Sequence, residues 1–400
     1  MESGVGPMGK ERLKNLDYVI FIPYIIMSIV GVVMVYSASA NIAIQNGGNP
    51  LSYLIKQLIF VVLSVGIVFF MMRMNIKYLR IQGFLKILLA LFVVVLVCLL
   101  AFGKTINGAA GWIHLGPVNI QPAEFVKFFL IIWLADAIDR GQPEITLSVR
   151  NWWDQMKRPL FWTVVLIALI LKQPDSGGAA INLAIAFILF NCSGFSWKHA
   201  LSIIYGCAAG AVLIFEMVLV PMAKSDSFSH SYQLQRIVAF TNPFGHAQGT
   251  GQQVVNSYYA ISNGGLFGVG LGNSVQKTGY LPEPNTDFIM SILTEELGAI
   301  AAFIVLALLT IIILRTVQIG VRSNDTYQSL ICYGVATYMS IQTFFNMGGV
   351  LGVLPITGVT FPFISYGGSS ILTLSLCLGL VLNISSSQRI QRRAMKVARK

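Results

Sequence analysis

The stretch TDFIMSILTEELGAIAAFIVLALLTIIIL, residues 286–314, decides the fold of this chain. A polar sequence, 224–285, ends at Thr286-Asp287-Phe288, and an apolar run of membrane-spanning length follows directly. A carboxylate at the mouth of a membrane segment is costly unless it has a partner or a function. The pattern therefore predicts a membrane protein in which the preceding loop leads to a buried acid, Asp287.

The composition extends this prediction to the whole chain. Of the 400 residues, 55% are hydrophobic and 11% are charged, whereas about a quarter of the residues of a soluble globular protein are charged. We therefore predict an all-α polytopic membrane protein with ten transmembrane helices in a single membrane domain over residues 1–400. The predicted segments are 18–37, 55–72, 82–102, 120–138, 159–173, 177–194, 199–222, 287–314, 326–347 and 367–387.

Positive charge is unevenly distributed along this pattern. With the N-terminus inside, 20 of the 27 Lys and Arg residues fall on the cytoplasmic side, as the positive-inside bias requires. We therefore predict that both termini are cytoplasmic, with tails over 1–16 and 388–400. A large extracellular loop, 223–286, then lies between helices 7 and 8. The net charge of +11 thus serves topology and not nucleic-acid binding, and the basic C-terminal tail either anchors the topology or contacts anionic lipid.

The cysteines and the interruptions between helices exclude other classes of protein. The five cysteines all lie in apolar runs and show neither a disulfide framework nor metal-ligand spacing. The first helix lacks a small-residue cleavage site and is read as an uncleaved span. The irregular stretches 173–178 and 348–366 are unequal in length, which argues against an inverted-repeat carrier. Since no soluble catalytic domain is visible, chemistry is expected at the membrane face.

The fourth predicted helix begins with opposite charges beneath the outer surface. Glu124 follows Pro122 in the first turn, where a negative charge complements the helix N-terminus. Lys127 can pair with Glu124 at i, i+3. The pair is either a structural ion pair or part of an anion site. Trp112 is either an interfacial anchor or a ring that stacks on a ligand.

Two further outer segments carry polar candidates. Asp175, between helices 5 and 6, either caps the sixth helix or holds a cation. In the long loop, the glycine-rich sequence 263–272 favours turns whose backbone N–H groups bind anions. Arg236 and Lys277 add positive charge, because arginine binds phosphate bidentately and lysine supplies a point charge. These features together predict a phosphate ligand.

Asp287 itself has two explanations. In the first turn of helix 8, a carboxylate stabilises the helix N-terminus. As a general base, it would need burial to raise its pKa and positive neighbours to lower it, so that it stays ionised yet basic. Glu295 and Glu296 lie two turns deeper, too far to share a proton with it directly. They either bond polar groups of neighbouring helices or line a wet cavity.

The segment 346–370, NMGGVLGVLPITGVTFPFISYGGSS, predicts irregular backbone near membrane depth. Such backbone needs protein or a cavity to satisfy its polar groups. We therefore expect it to line a cleft opposite Asp287, with Ser365 and Ser369 as candidate ligand-binding residues. A purely structural re-entrant turn is the alternative.

These strings resemble a known family. YSAS from Tyr36, NGA and a tryptophan between Asn107 and Trp112, QPAEFVK from Gln121 and KQPD from Lys172 all take part in the resemblance. With QKTGYLPEPNTDFIMSILTEELG and ISYGGSS, they make the chain similar, over nearly its whole length, to the SEDS proteins of bacterial cell-wall synthesis, the group of FtsW, RodA and SpoVE.

The resemblance implies a ten-helix glycosyltransferase that polymerises lipid II, the undecaprenyl-pyrophosphate-linked disaccharide-pentapeptide, at the outer face of the bacterial cytoplasmic membrane. It implies that Asp287 deprotonates the acceptor hydroxyl, which attacks the donor sugar with inversion. Implied partners are a class B penicillin-binding protein and other membrane proteins of division or elongation. A divalent cation would help to neutralise pyrophosphate, but no ligand cluster specifies one. The candidate substrate- and pyrophosphate-binding residues are Arg236, Lys277, Lys127, Glu124, Trp112, Asp175, Ser365 and Ser369.

Some positions depart from the family's pattern. Gly111 stands where a basic residue is frequent, Ala123 and Ser176 replace a usual serine and leucine, and Asn285 replaces a frequent histidine. The last change removes a proton relay through that position. VMVYSAS and GVTFPFISYGG resemble FtsW of Gram-positive bacteria and NMGGVLGVLPITG resembles RodA, so a division role is favoured over elongation. A lipid-linked precursor flippase and a non-catalytic scaffold of the division machinery are the competing functions.

Overall fold

A computed structural model describes residues 8–45, 47–103, 111–116, 118–145, 149–194, 197–223, 232–249 and 251–398. A helix lies over each of the ten predicted segments. A five-residue π-helical stretch, Phe215–Leu219, joins α8 to α9 over the seventh segment. The α-helices in chain order are α1 (Met8–Lys14), α2 (Tyr18–Gln45), α3 (Leu51–Arg73), α4 (Gln82–Phe102), α5 (Pro122–Ile145), α6 (Val149–Lys172), α7 (Ser176–Asn191), α8 (Trp197–Ile214), α9 (Val220–Ala223), α10 (Tyr232–Thr241), α11 (Gln252–Gly264), α12 (Ile289–Val321), α13 (Thr326–Val350) and α14 (Gly368–Ala398).

A short β-hairpin departs from the all-α prediction. β1 (Ile113–Leu115) pairs antiparallel with β2 (Val118–Ile120), and the turn between them includes Gly116 at a φ of 67°. Glycine adopts this left-handed conformation without the strain that a side chain adds. The hairpin leads directly into α5, where it fixes the start of the fourth predicted span.

Within the part of the chain that the structure describes, five helices are long and apolar enough to cross a membrane by length and composition: α2, α3, α4, α12 and α14. α7 is apolar but has only 16 residues. α5 contains Asp136 and continues beyond the predicted end of its segment through Asp139 and Arg140, and these charges lower its hydropathy. The helical multi-pass membrane protein is therefore confirmed, and the number of ten spans stays a prediction.

α14 is the most buried of these five helices, with 83% of its most apolar stretch buried inside the protein. It packs closely on α3, since a Cβ on Gly379 would lie 2.6 Å from the Cβ of Met71. One of its buried polar side chains, Asn383, donates to the carbonyls of Met71 and Met74 at 2.7 Å. A polar side chain in a membrane core is tolerated when such partners satisfy it.

α12 is broken at Gly298, where φ is 84° and ψ is 168°. The chain after α11 enters this break, and a Cβ on Gly298 would lie 2.2 Å from the carbonyl oxygen of Leu266. Ala299 donates its N–H to the carbonyl of Gly265 at 2.9 Å. The loop therefore replaces helical hydrogen bonds that the break removes, as membrane-protein backbone requires.

The same contact changes the interpretation of the glycine-rich sequence. The backbone N–H groups of Val269 and Gly270 donate to the carbonyls of Glu295 and Glu296 at 2.9 and 3.0 Å. These two groups belong to the packing of the loop on α12, so they do not form the predicted anion site. The 223–286 segment itself contains two helices, α10 and α11, and α11 packs against the beginning of α12.

Candidate active site

Asp287 lies in a tight turn just before α12. Phe288 is the residue at the N-cap position and makes no side-chain capping bond. Asp287 therefore precedes the helix, and the prediction that it belongs to the first helical turn is wrong. It lies instead in a turn over residues 283–288, in which the carbonyl of Glu283 accepts from Thr286 N and Phe288 N at 3.3 and 3.4 Å. This placement weakens the helix-stabilising explanation of the carboxylate.

Two side chains from the 346–370 segment hold this turn. Asn346, at the end of α13, donates to the carbonyl of Asp287 at 2.7 Å and to that of Val359 at 2.8 Å. Ser365 donates its hydroxyl to the carbonyl of Thr286 at 2.6 Å and accepts from Phe361 N at 2.7 Å. Both side chains are buried. The position of Asp287 is therefore set by hydrogen bonds from elements distant in sequence.

A small cleft lies at Asp287, and the segment 356–359 forms its other wall with the end of α13. The expectation that the irregular segment lines a cleft opposite Asp287 is thus met by the structure. Gly358 has a φ of 74°, and a Cβ there would lie 3.5 Å from the guanidinium nitrogens of Arg236 and 3.6 Å from Oδ2 of Asp287. Arg236 and Asp287 therefore converge over a residue without a side chain, which leaves room for a ligand.

The electrostatics of the cleft suit a base. Burial, and then the negative charge of Glu283, raise the pKa of Asp287 to about 7, against the lowering effects of Arg236 and of the Thr286 hydroxyl. A carboxylate with this pKa is substantially ionised at neutral pH and far more basic than an exposed aspartate. Arg236 donates to the carbonyl of Ile356 at 3.0 Å, which fixes the guanidinium beside the cleft.

Asp175 caps α7, as one of its two predicted roles requires. Its carboxylate accepts from Gly178 N at 2.7 Å and from Nε2 of Gln121 at 2.9 Å. Burial raises the pKa of Asp175, while the Gly178 N–H and the charges of Lys127 and Arg236 lower it. The cap also touches the cleft wall, since a Cβ on Gly177 would lie 2.7 Å from the carbonyl oxygen of Thr357.

Glu124 and Lys127 form the ion pair that their spacing predicts, with 2.5 Å between Nζ and Oε1. The ammonium also lies 5.0 Å from the centre of the Tyr338 ring, whose hydroxyl donates to Glu124 at 3.1 Å. Lys127 is only 1% exposed. This geometry favours the structural ion pair over direct anion binding, because the ammonium is already paired and buried.

Lys277 is likewise paired inside the protein. Its ammonium lies 2.6 Å from Glu296, which is fully buried and also accepts from the Ser37 hydroxyl at 2.7 Å. Glu295 accepts from Asn263 and from the hydroxyl of Ser274. Both glutamates therefore hold neighbouring elements against α12 next to its break. The structure does not bring Lys277 to the cleft around Asp287.

The remaining candidate residues are not among those that line the cleft. Ser369 accepts from Gln121 N at 2.9 Å, which links the start of α14 to the start of α5. Trp112 is half-buried immediately before β1. Asn285 donates to the hydroxyl of Ser39 at 2.9 Å, which attaches the 283–288 turn to α2. Asn107 lies outside the described residues.

Sequence reasoning missed three of the residues that organise the site. Asn346 and Gln121 each join two segments by hydrogen bonds, and the Thr286 hydroxyl donates to Oε2 of Glu283 at 3.0 Å. For Asn346 and Gln121, the available signal was an amide within two residues of a glycine or proline near a helix end, which is weak without the fold. Among the residues that the structure describes, no group of three or more His, Cys, Asp or Glu side chains could hold a metal ion.

Comparisons with known proteins agree with this architecture. Residues 17–390 match the family described as "Cell cycle protein", which groups FtsW, RodA and SpoVE. The probable peptidoglycan glycosyltransferase FtsW of Bacillus subtilis is 38% identical over 379 residues, which cover 94% of this chain and 92% of that protein.

Solved structures share the fold. A chain from a study of polymerization and crosslinking by a peptidoglycan synthase complex has a TM-score of 0.72 at 24% identity, and the match covers 93% of this chain and 98% of that one. The rod shape determining protein RodA of Thermus thermophilus has a TM-score of 0.64 at 25% identity and covers 92% and 96%. This chain therefore belongs to the FtsW, RodA and SpoVE family.

Proposed function

We propose that this protein is a peptidoglycan glycosyltransferase that polymerises lipid II for septal wall synthesis during cell division. The observation that carries the proposal is the convergence of Asp287 and Arg236 on Gly358 in the cleft, where burial raises the pKa of Asp287 to about 7. The 38% identity to a probable FtsW glycosyltransferase, compared with 25% to a RodA, supports the division role over an elongation role.

Asp287 acts as the general base. Its carboxylate takes the proton of the acceptor sugar hydroxyl, and the resulting oxygen attacks the anomeric carbon of the lipid-linked donor. The bond to undecaprenyl pyrophosphate breaks on the opposite side, so the configuration inverts. A base with a pKa near the working pH is the most effective for such a step.

Arg236 is the proposed contact for the pyrophosphate leaving group. Negative charge increases on the leaving oxygen as the bond breaks, and a guanidinium fixed beforehand stabilises it. Using Lys127 or Lys277 in the same way would require breaking a buried ion pair, which is costly. We therefore assign these lysines, with Glu124, Asp175, Ser365 and Ser369, to shaping the site, and Trp112 to its rim.

The location and partners follow from the family. We propose that the protein lies in the cytoplasmic membrane of a bacterium with the cleft facing outward, where a membrane-anchored donor can reach it. We further propose that it acts with a class B penicillin-binding protein, which crosslinks the new glycan, within a set of division membrane proteins. A divalent cation would be held partly by the substrate's own pyrophosphate oxygens.

The experiment is lipid II polymerisation by the purified protein together with its penicillin-binding partner. Wild type should form glycan strands, Asp287→Asn should form none above background, and the matched control Asp154→Asn should behave as wild type, since Asp154 is an exposed partner of Lys157. Equal polymerisation by Asp287→Asn would exclude the proposed base. Lipid II translocation without polymerisation by wild type would favour the flippase.

A further inference from the structure

Two buried polar atoms on residues that line the cleft have no hydrogen-bond partner among the residues that the structure describes. They are Oδ1 of Asn346 and Oγ1 of Thr357. Asn346 is only 4% exposed, and the Thr357 hydroxyl oxygen is buried although its residue is partly exposed. A buried polar atom without a partner is costly, and it is retained where a ligand or a water completes its hydrogen bonds.

The orientation of the Asn346 amide is fixed by its other hydrogen bonds. Both protons of Nδ2 are used, because this nitrogen donates to the carbonyls of Asp287 and Val359 at 2.7 and 2.8 Å. A flipped amide would place Oδ1 against two carbonyl oxygens, which cannot donate. Oδ1 is therefore the free atom of this side chain, and it can only accept a hydrogen bond.

The segment 356–359, which forms the cleft wall with the end of α13, contributes one side-chain hydroxyl. Its other residues are isoleucine, glycine and valine. Two of its carbonyls already accept hydrogen bonds from Arg236 and Asn346. The Thr357 hydroxyl has a proton to donate to a ligand. The wall therefore offers one acceptor and one donor to whatever enters the cleft.

The rest of the lining and the size of the cleft restrict the ligand further. Its empty volume is about 180 Å³, whereas pockets that enclose a drug-sized ligand have about 300–1,000 Å³. The cleft thus admits a substituent of a sugar rather than a disaccharide. Apart from Asp287 and two glycines, the other lining residues are apolar: Phe288, Phe345, Val350, Ile356 and Val359. The matching substituent carries one N–H or O–H, one acceptor and an apolar end.

We propose that Asn346 and Thr357 recognise the acetamido group of an N-acetylated sugar in lipid II. This inference rests on the proposed function and specifies which substituent the cleft selects. The N–H of the acetamido group donates to Oδ1 of Asn346, and its carbonyl accepts from the hydroxyl of Thr357. The methyl group packs on the apolar lining. A sugar hydroxyl in the same place would leave that lining uncovered.

The recognition also has a consequence for catalysis. Asp287 lines the same cleft, and Asn346 donates to its carbonyl. An acetamido group bound there fixes the sugar ring beside the base, and such positioning lowers the barrier to reaction. A site built to bind an N–H discriminates strongly against an analogue that lacks it, because a buried acceptor is then left unpaired.

Thr357→Val tests the assignment, because valine keeps the shape and removes the hydroxyl. We expect kcat/KM for lipid II to fall about fivefold, the typical contribution of one neutral hydrogen bond. Thr357→Ser should recover most of this loss. Thr310→Val, a matched change on the exposed side of α12, should leave kcat/KM as in wild type. The unfolding midpoint of each variant shows whether the fold is kept.

Two analogues of lipid II supply the second measurement. In a deoxy analogue, hydrogen replaces each acetamido group, so wild type and Thr357→Val should turn it over with equal kcat/KM. In an ester analogue, O-acetyl replaces each acetamido group, which keeps the carbonyl and removes the N–H. Wild type should turn over the ester at least tenfold more slowly than lipid II, since Asn346 then faces an oxygen that cannot donate. Thr357→Val should lose a further fivefold or so on the ester.

The outcomes separate this inference from the function on which it rests. If Asp287→Asn polymerises lipid II, the proposed function fails. If Asp287→Asn is inactive while Thr357→Val slows lipid II and the deoxy analogue by the same factor, only the acetamido contact is overturned. Wild-type kcat/KM for lipid II in Thr357→Val also overturns it. A loss in Thr357→Val that is present on lipid II and on the ester but absent on the deoxy analogue supports it.

Discussion

At the scale of single residues, Asp287 has a pKa that its position in the sequence could not reveal. Its carboxyl pKa of about 7 results from burial and from Glu283, opposed by Arg236 and Thr286. The base must be ionised to act. We therefore predict that kcat/KM falls below pH about 7, approaching tenfold for each unit of pH, measured as initial rates of lipid II polymerisation between pH 5 and 9. A profile that stays flat down to pH 5 would contradict the assignment.

The raised pKa also has a consequence for stability. A carboxyl whose pKa is higher in the folded than in the unfolded protein stabilises the fold at low pH, and this stabilisation is lost as pH rises through about 7. Asp287→Asn should therefore unfold at a higher temperature than wild type at pH 8 and at the same temperature at pH 4. Thermal unfolding in detergent measures the difference. A lower midpoint for the variant at pH 8 would contradict this.

Asn346 is the residue that fixes Asp287 from outside its own turn. Asn346→Ala leaves two buried carbonyls without their donor, which costs about 1–3 kcal/mol of folding free energy. We expect kcat to fall by a larger fraction than the free energy of unfolding does, because the loss of this hydrogen bond lets the backbone of Asp287 shift. Asn273→Ala, which removes an exposed amide, is the control. Wild-type kcat in Asn346→Ala would show that this amide does not position the base.

At the scale of elements, the break in α12 is the feature that sequence periodicity cannot detect. The apolar pattern continues through Gly298 without a turn signal, yet the chain is non-helical there because the loop after α11 supplies the missing hydrogen bonds. The Lys277–Glu296 pair depends on the same packing. By contrast, the Glu124–Lys127 pair and the Asp175 cap are local and were predictable from spacing.

Gly298→Ala tests this element directly. Its methyl group would lie 2.2 Å from the carbonyl oxygen of Leu266, and its φ of 84° is strained for alanine. We expect a marked loss of folded protein and of activity, measured by monodisperse yield and unfolding midpoint. Gly66→Ala in α3, where a Cβ meets nothing within 4 Å, should be neutral or slightly stabilising. Equal behaviour of the two variants would show that the break is dispensable.

At the scale of the whole molecule, one carboxylate ties three helices together at the end opposite the cleft. Asp17, fully buried before α2, accepts from Ser385 at 2.7 Å and pairs with Arg315 and Arg389 at 3.0 and 2.8 Å. Burial alone raises the pKa of Asp17, but Ser385, Arg315 and Arg389 together bring it below its ordinary value. Arg315 and Arg389, which the sequence analysis uses only as indicators of membrane topology, thus also form ion pairs that stabilise the fold.

We expect Asp17→Asn to lower the free energy of unfolding on the order of 2 kcal/mol at neutral pH, since both arginines keep some contact with solvent. A depressed carboxyl pKa stabilises above the unfolded value and loses its effect as pH falls. The difference from wild type should therefore begin to shrink as the pH falls below about 4, and it should disappear once Asp17 is protonated in the folded protein as well. Asp154→Asn is the control. An equal deficit at low and neutral pH would assign the effect to packing alone.

That a helix lies over each of the ten predicted segments was predictable, because apolar length indicates a candidate span. The assembly of the cleft was not predictable, because its parts are far apart in the chain. Asp287, Arg236, Asn346 and Gly358 meet only after α10, α12 and α13 have packed. The sequence therefore predicts the base and the arginine as candidates, and the fold brings them together.

Lipid II polymerisation by purified Asp287→Asn, beside wild type and Asp154→Asn with the same partner, tests the proposed activity most directly. We predict glycan strands from wild type and from Asp154→Asn, and none above background from Asp287→Asn although it folds. Glycan strands of equal length and amount from Asp287→Asn would contradict the assignment of Asp287 as the base.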